Sequence, residues 1–252
     1  LSPDHLERHG NFKNYINAKF KLIKNQSKNN YAFIERKNYI LNSLVKKNKI
    51  KSKIFGVNYA KYRKYNKLIT NDYFKNKSNI NNLSFIFALS KIFKLNSKKI
   101  VKVANKFEQL DFRQQIIYKS KKLTIINDSK STSFSSTLPL LESFQNIYWI
   151  LGGMAKKGDK LKLKKKNFKK IKAFIYGKDQ LFFSKILSNK VKYKISKNLN
   201  HSLLLVFKEL KKIKEQKKVI LFSPSAASFD QFKNFEHRGN YFNKIIKKYL
   251  KK

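Results

Sequence analysis

Cysteine is absent from the 252-residue chain, and proline, glycine and acidic residues are few: three, seven and fourteen. Without cysteine there is neither a disulfide framework nor a thiolate metal site. No secretory leader is visible. The longest mostly apolar stretch, LSFIFALSKIF at 83–93, is too short to span a bilayer and is broken by Ser and Lys. These absences predict a soluble cytoplasmic protein with no membrane insertion. The length allows a substantial core and one or two domains.

Arginine is scarce as well. Lys and Arg total 59 and give a formal net charge of +45, yet the arginines are only Arg8, Arg36, Arg63, Arg113 and Arg238. Such charge invites a nucleic-acid reading. A chain built to grip phosphates or read bases would use the planar arginine fork more freely. The lysines are spread along the whole chain, beside abundant Asn and Ile. All three have AT-rich codons, whereas Gly, Pro and Arg draw mostly on GC-rich ones. Base composition acting on solvated faces therefore explains most of the charge, and no nucleic-acid partner is expected.

Strand and helix signals divide the chain into two parts. Residues 12–24 have helical periodicity, 31–75 alternate short aromatic or β-branched runs with Asn/Lys turns that read as small strands, and 79–93 and 97–107 read as helices. From about Leu110, strands expected at 116–118, 123–126, 147–151, 173–176, 191–193 and 219–222 alternate with helices at 133–144, 179–188, 199–215 and 240–250. That alternation predicts a parallel sheet covered on both faces, with ligands at the strand carboxyl ends.

Several loops could carry chemistry. The segment SPSAASFDQFKNFEHRG, 223–239, follows the apolar run VILF at 219–222. A strand, a small-residue loop and a helix expected to begin near Ser228 would present free backbone N–H groups to a carboxylate or phosphate. NDSKST at 127–132 follows a strand, so Asp128 and Lys130 would project at the carboxyl edge of the sheet; an ordinary helix cap is the plainer reading. In GGMAKKGD, 152–159, the paired glycines permit close backbone approach to a ligand, and Lys156 could reach a phosphate. No P-loop pattern occurs in the chain. Lys19 lies in the apolar face formed by Phe12, Tyr15, Ile16, Phe20 and Ile23. It is either a snorkelling side chain or a functional, semi-enclosed or modified amine. Asp4 and His5 occupy an opening loop where a histidine beside carboxylates can ligate a divalent metal, or can simply be exposed.

In this order the segments resemble the Mur ligase family: Asp4-His5 with Arg8, Ala18-Lys19, Asn79 with Asn82, Arg113, Asn127-Asp-Ser-Lys130, Gly152-Gly153 with Lys156, and 223–239. The resemblance covers essentially the whole chain, and the last segment is the part that points to D-glutamate as the amino acid added. It implies an α/β fold, a C-terminal Rossmann-like sheet domain (110–252) preceded by the latter part of a P-loop-type ATPase domain (1–109). It also implies ATP-dependent amide ligation, joining D-glutamate to UDP-N-acetylmuramoyl-L-alanine through an acyl phosphate, by a monomer using ATP and Mg²⁺. His5 would bind the metal, with Lys19 as a carbamylated lysine supporting it. Asn79, Arg113 and Lys156 would serve ATP; Lys130, Ser228, Phe229 and Phe235 would hold D-glutamate, with Asp128 organising that loop.

Departures from the family pattern fall at Asn76-Lys-Ser-Asn79, Asp111-Phe112-Arg113, Gln115 and Met154. The family's P-loop, its magnesium-binding Glu and its UDP-binding domain would lie before Leu1, so a fragment inactive alone is expected. Two other readings remain: a related amino-acid ligase of the folylpolyglutamate type, and a basic nucleic-acid-binding module.

Overall fold

The computed structural model describes residues 6–156, 158–211 and 217–251. The chain divides into two units, Leu1–Phe107 and Glu108–Lys252. In the first unit, α1 (Leu6–His9), α2 (Phe12–Lys24), β1 (Tyr31–Glu35), α3 (Tyr39–Lys47) and β2 (Lys53–Val57) precede α4 (Arg63–Asn66), α5 (Lys77–Ile92) and α6 (Ser97–Lys106). β1 and β2 pair in parallel. Their neighbours enclose a core of Val57, Tyr62, Phe74, Leu83, Phe87 and Val101.

The small strands expected across 31–75 reduce to β1 and β2. Asn38, Asn58 and Asn71 in this segment cap helical turns and do not lie in turns between strands. Asn38 Oδ1 accepts the Leu41 N–H at 3.1 Å and starts α3. Asn58 and Asn71 accept from Ala60 and Tyr73, each at 3.0 Å, and start the 3-10 turns Tyr59–Tyr62 and Asp72–Lys75. A side-chain oxygen that satisfies an orphan first-turn N–H favours helix over extended chain.

The second unit runs β3 (Gln115–Lys119), β4 (Leu123–Asn127), α7 (Phe134–Ser143), β5 (Ile147–Gly152), β6 (Ile171–Tyr176), α8 (Gln180–Leu187), β7 (Lys192–Ile195), α9 (Leu199–Lys211), β8 (Lys218–Phe222) and α10 (Phe235–Leu250). Its sheet order is β3-β4-β8-β5-β6-β7, and β3 alone pairs antiparallel. This is the mostly parallel, helix-covered sheet that the strand–helix alternation predicted.

Side chains alternate cleanly across it. Ile126, Trp149, Leu151, Ala173 and Leu221 face α7 and α8, where Phe134, Leu141 and Phe183 meet them. Ile125, Ile150, Phe174, Ile220 and Phe222 face α9 and α10, against Leu203, Val206, Phe242 and Ile246. Burial of each large apolar side chain contributes about 2 kcal/mol.

Two element boundaries differ from expectation. The strand expected at 191–193 is Lys192–Ile195, because Val191 is buried while its N–H donates to Leu187 O and closes the end of α8. β7 is exposed throughout and carries Lys192 and Lys194, which discourage pairing at a free edge. The last helix begins at Phe235, neither near Ser228 nor at 240, because Asn234 Oδ1 caps it by accepting the His237 N–H at 2.7 Å.

One buried acid ties a helix to the edge of the sheet. Glu209 of α9 accepts from Lys172 of β6 at 2.5 Å and from Lys194 of β7 at 2.7 Å, and these bonds hold its carboxyl at about 2. A depressed carboxyl contributes stability that is complete above its unfolded value, 4.5, and is lost as pH falls towards 2. Glu209→Gln should cost about 2 kcal/mol at neutral pH. In denaturant titrations the gap between variant and wild type should narrow steadily between pH 5 and 2; a constant gap would rule out the ionic contribution.

Candidate functional site

Because β8 returns between β4 and β5, the loops that leave these three strands emerge at one corner, the carboxyl-end crevice where open α/β sheets bind ligands. The corner is built from buried polar groups. Asp128, just past β4, accepts the Gln114 N–H at 3.0 Å through Oδ1 and the Ser223 Oγ–H at 2.7 Å through Oδ2. Burial nevertheless pushes its carboxyl up to about 7, against the lowering effect of those bonds and of Arg113 and Arg238. Ser223 Oγ continues into a buried run of hydroxyls: Thr137 Oγ1 lies 2.8 Å from it, 2.7 Å from Ser225 Oγ and 2.7 Å from Ser131 Oγ.

The same loop is fastened to the first turns of α10. Asn127 Nδ2 donates to Gly239 O and to Asn243 Oδ1, at 3.0 and 2.8 Å. Ser129 Oγ donates to Phe235 O at 2.9 Å. These ties bring Lys130 over Phe235, with Nζ 3.5 Å from the ring centroid, a cation–π contact. The Lys130 N–H donates to Phe112 O at 3.0 Å. Phe112 sits at φ 59° with its ring against Gly239, where an added Cβ would fall 2.3 Å from a ring carbon. Glycine at 239 is therefore required by close packing.

Two N–H groups of the loop after β8 are used within the protein. The Ser223 N–H donates to Ile150 O, and the Ala227 N–H to Met154 O. The first turn of α10 is capped by Asn234. Ser228 is buried beside this bridge, while Phe229 is 70% exposed. The glycine pair also serves the protein backbone, not an approaching ligand. A Cβ at Gly152 would lie 1.8 Å from Tyr176 O, and one at Gly153 would lie 2.4 Å from Ala227 O. Lys156 is partly buried one residue after Ala155, whose N–H donates to Asp179 Oδ2 at 2.7 Å.

Residues 1–96 match the Mur ligase middle domain. Over 99% of its length the chain is 33% identical to the UDP-N-acetylmuramoylalanine–D-glutamate ligase of Rickettsia felis. Over 98% it is 34% identical to the protein of the same name from Wolbachia sp. subsp. Brugia malayi. The chain belongs to the Mur ligase family. It spans 59% and 52% of the lengths of those two relatives. Among solved structures its fold is similar to that of MurF from Acinetobacter baumannii, at a TM-score of 0.70 and 13% identity, covering 98% of this chain and 58% of that one.

In the first unit Lys19 is exposed, its ammonium 5.6 Å from the Tyr15 ring centroid, so its amine does not lie within the apolar face. The 3.6-residue period turns only Tyr15 and Phe20 fully inward. Asn79 is buried at the start of α5, where its Nδ2 donates to Tyr73 O at 2.8 Å and its N–H is capped by Asn76. Asp4 and His5 lie outside the described residues. In the second unit Arg113 is exposed beside the Asp128 loop. The structure thus brings together Asp128, Lys130, Phe235 and the Ser228 loop.

The sequence reading missed Ser129 and Arg238, which join these segments. Their signal was an arginine retained inside a lysine-biased chain.

The raised Asp128 carboxyl has a direct consequence for the Mur ligase fold. The native state holds a proton that the unfolded chain releases above about pH 4, so stability falls as pH rises from 4 to 7 and levels off above that. Asp128→Asn should keep the Gln114 bond and remove this slope. Melting temperatures of wild type relative to the variant should drop between pH 5 and 8. A pH-independent difference would show that Asp128 stays ionised.

Proposed function

We propose that this chain forms part of an ATP-dependent acid–D-amino-acid ligase that adds D-glutamate to UDP-N-acetylmuramoyl-L-alanine in peptidoglycan precursor synthesis. The observation that carries the reading is the corner where Lys130, held over Phe235, and the loop of the buried Ser228 leave the carboxyl ends of the neighbouring strands β4 and β8. A cation on an aromatic face, walled by small hydroxylated residues, suits a short dicarboxylic amino acid. Lys130 supplies charge to a carboxylate, Ser228 a hydroxyl, and Phe235 and the exposed Phe229 apolar walls. Asp128 meets the ligand indirectly, by fixing the backbone on which Lys130 stands.

In the reaction, ATP phosphorylates the carboxylate of the uridine-linked substrate. The D-glutamate amine attacks the acyl carbon and phosphate leaves as the amide forms. The contribution of this corner is to hold the amino acid by its carboxylates and leave its amine free, which lowers the entropic part of the barrier. Arg113 and Lys156 supply cations for the ATP phosphates, and Asn79 a position near the nucleotide. A solved relative in fold, MurF from Thermotoga maritima, contains ADP (TM-score 0.62, 14% identity, 97% of this chain and 60% of that chain).

Magnesium would neutralise the transferring phosphoryl group when bound. Among the described residues no group of three or more His, Cys, Asp or Glu could hold a metal. Lys19 presents an exposed amine, which becomes an anionic ligand only if carbamylated.

No described helix is long and apolar enough to cross a membrane. As part of the proposed ligase, the chain would act in the cytoplasm as a monomer. The 252-residue chain titrated with D-glutamate should show saturable binding that L-glutamate does not match. Lys130→Ala should weaken it about tenfold or more, as expected for losing a charge-assisted contact. Preferential binding of L-glutamate would point to a folylpolyglutamate-type ligase. Salt-sensitive RNA or DNA binding without any D-glutamate binding would sink the ligase reading.

A further inference from the structure

Arg238 is one of only five arginines, and it is fully buried in the first turn of α10. Its Nε donates to Ser129 Oγ at 3.0 Å and its Nη2 to Ser129 O at 2.7 Å, so one edge of the fork grips both polar groups of one residue. Nη2 also donates to Ala226 O at 3.0 Å. Nη1 lies 3.4 Å from the place a Cβ on Gly153 would occupy. A single side chain thereby bonds the segments that follow β4 and β8, and its remaining nitrogen lies close to Gly153 at the end of β5.

The arrangement is more than a neutral fastener requires. The buried hydroxyl of Tyr176 acts on the guanidinium, and neither it nor Nη1 has a partner elsewhere. Asp230 and Asp128 act on the guanidinium through space. Burying a charge without a contacting counter-ion costs several kcal/mol, whereas an amide side chain could hold two carbonyls without that cost. Lysine, the cation this chain uses almost everywhere else, lacks the planar fork needed to bond Ser129 twice and Ala226 once.

We infer that Arg238 is a positioning residue for the amino-acid site. It locks the Ser129 and Ala226 backbones so that Lys130 and Ser228, each one or two residues away, face the same carboxylate-bearing ligand. This rests on the reading of the Lys130–Ser228 corner as the D-glutamate site. Arg238 does not itself touch the ligand. It acts by fixing the two loops relative to each other, and a displacement of about 1 Å between such groups is enough to cost large factors in recognition.

Arg238→Lys in the 252-residue chain tests this, beside Val206→Ala, a core change in α9 away from the loops that serves as a control for lost stability. Amide hydrogen exchange at Lys130, Ser131 and Ala227 should quicken about tenfold in Arg238→Lys relative to Val206→Ala, while Ile220 and Leu221 of β8 stay equally protected. D-glutamate affinity should fall about tenfold in Arg238→Lys and stay within twofold of wild type in Val206→Ala. If Arg238→Lys does not fold, Ser129→Ala removes the Nε acceptor and should give the same pattern more weakly.

Equal exchange at the three loop amides in the two variants overturns the proposal. So does unchanged affinity in Arg238→Lys when wild type binds. If wild type itself fails to bind D-glutamate, the functional reading of the corner falls instead, and with it any ligand that Arg238 could position.

Discussion

Everything at the candidate site depends on where β8 enters the sheet. Had the last strand added at an edge, the loops after β4 and β8 would stand a full sheet apart. Inserted between β4 and β5, it makes three chain crossings share one corner, and their backbones collide unless side chains are absent or polar groups interlock. The glycines at 152, 153 and 239 meet the first demand, and Asp128, Ser223, Thr137 and Ser129 meet the second. The corner is crowded, and the backbone that carries Lys130 is held by the bonds of its neighbours Asp128 and Ser129.

Much of this fold could be read from residue order alone. Continuous apolar runs such as IYWILG in β5 and VILF in β8 carry no helix period and are too short for helices, so they read as buried strands. The segments before 110 resisted the same approach, because asparagine has two meanings. It ends strands in turns and it begins helices as a cap, and only the tertiary partner decides between them. The same ambiguity placed the start of α10 wrongly, since the cap at Asn234 lies six residues beyond the end of the SPSAAS loop.

The site was legible as a set of loops but not as a set of bonds. Asp128 and Lys130 follow a strand in the sequence, and that fixes them at the sheet edge. Nothing in the letters says that the Asp128 carboxylate is spent on Gln114 and Ser223, or that the glycine pair makes room for the carbonyls of Tyr176 and Ala227. Such pairings cross 14 to 95 residues of sequence, and a single chain read without its relatives holds no trace of them. Lys19 shows the converse limit: an apolar face drawn on a wheel does not say how far a long side chain reaches outside it.

The asparagine caps bear on how such a chain tolerates its own composition. Asn stands at the N-cap of α2, α3, α5, α6 and α10. Asn, Asp and Ser cap about equally well, so exchange among them leaves a helix start almost unchanged in energy. A nucleotide bias that drives codons towards Asn therefore runs along a nearly level path at these positions. Drift can exchange the caps of half the described α-helices while the fold keeps its shape, and it meets resistance where geometry admits a single residue, as at Gly152 or Arg238.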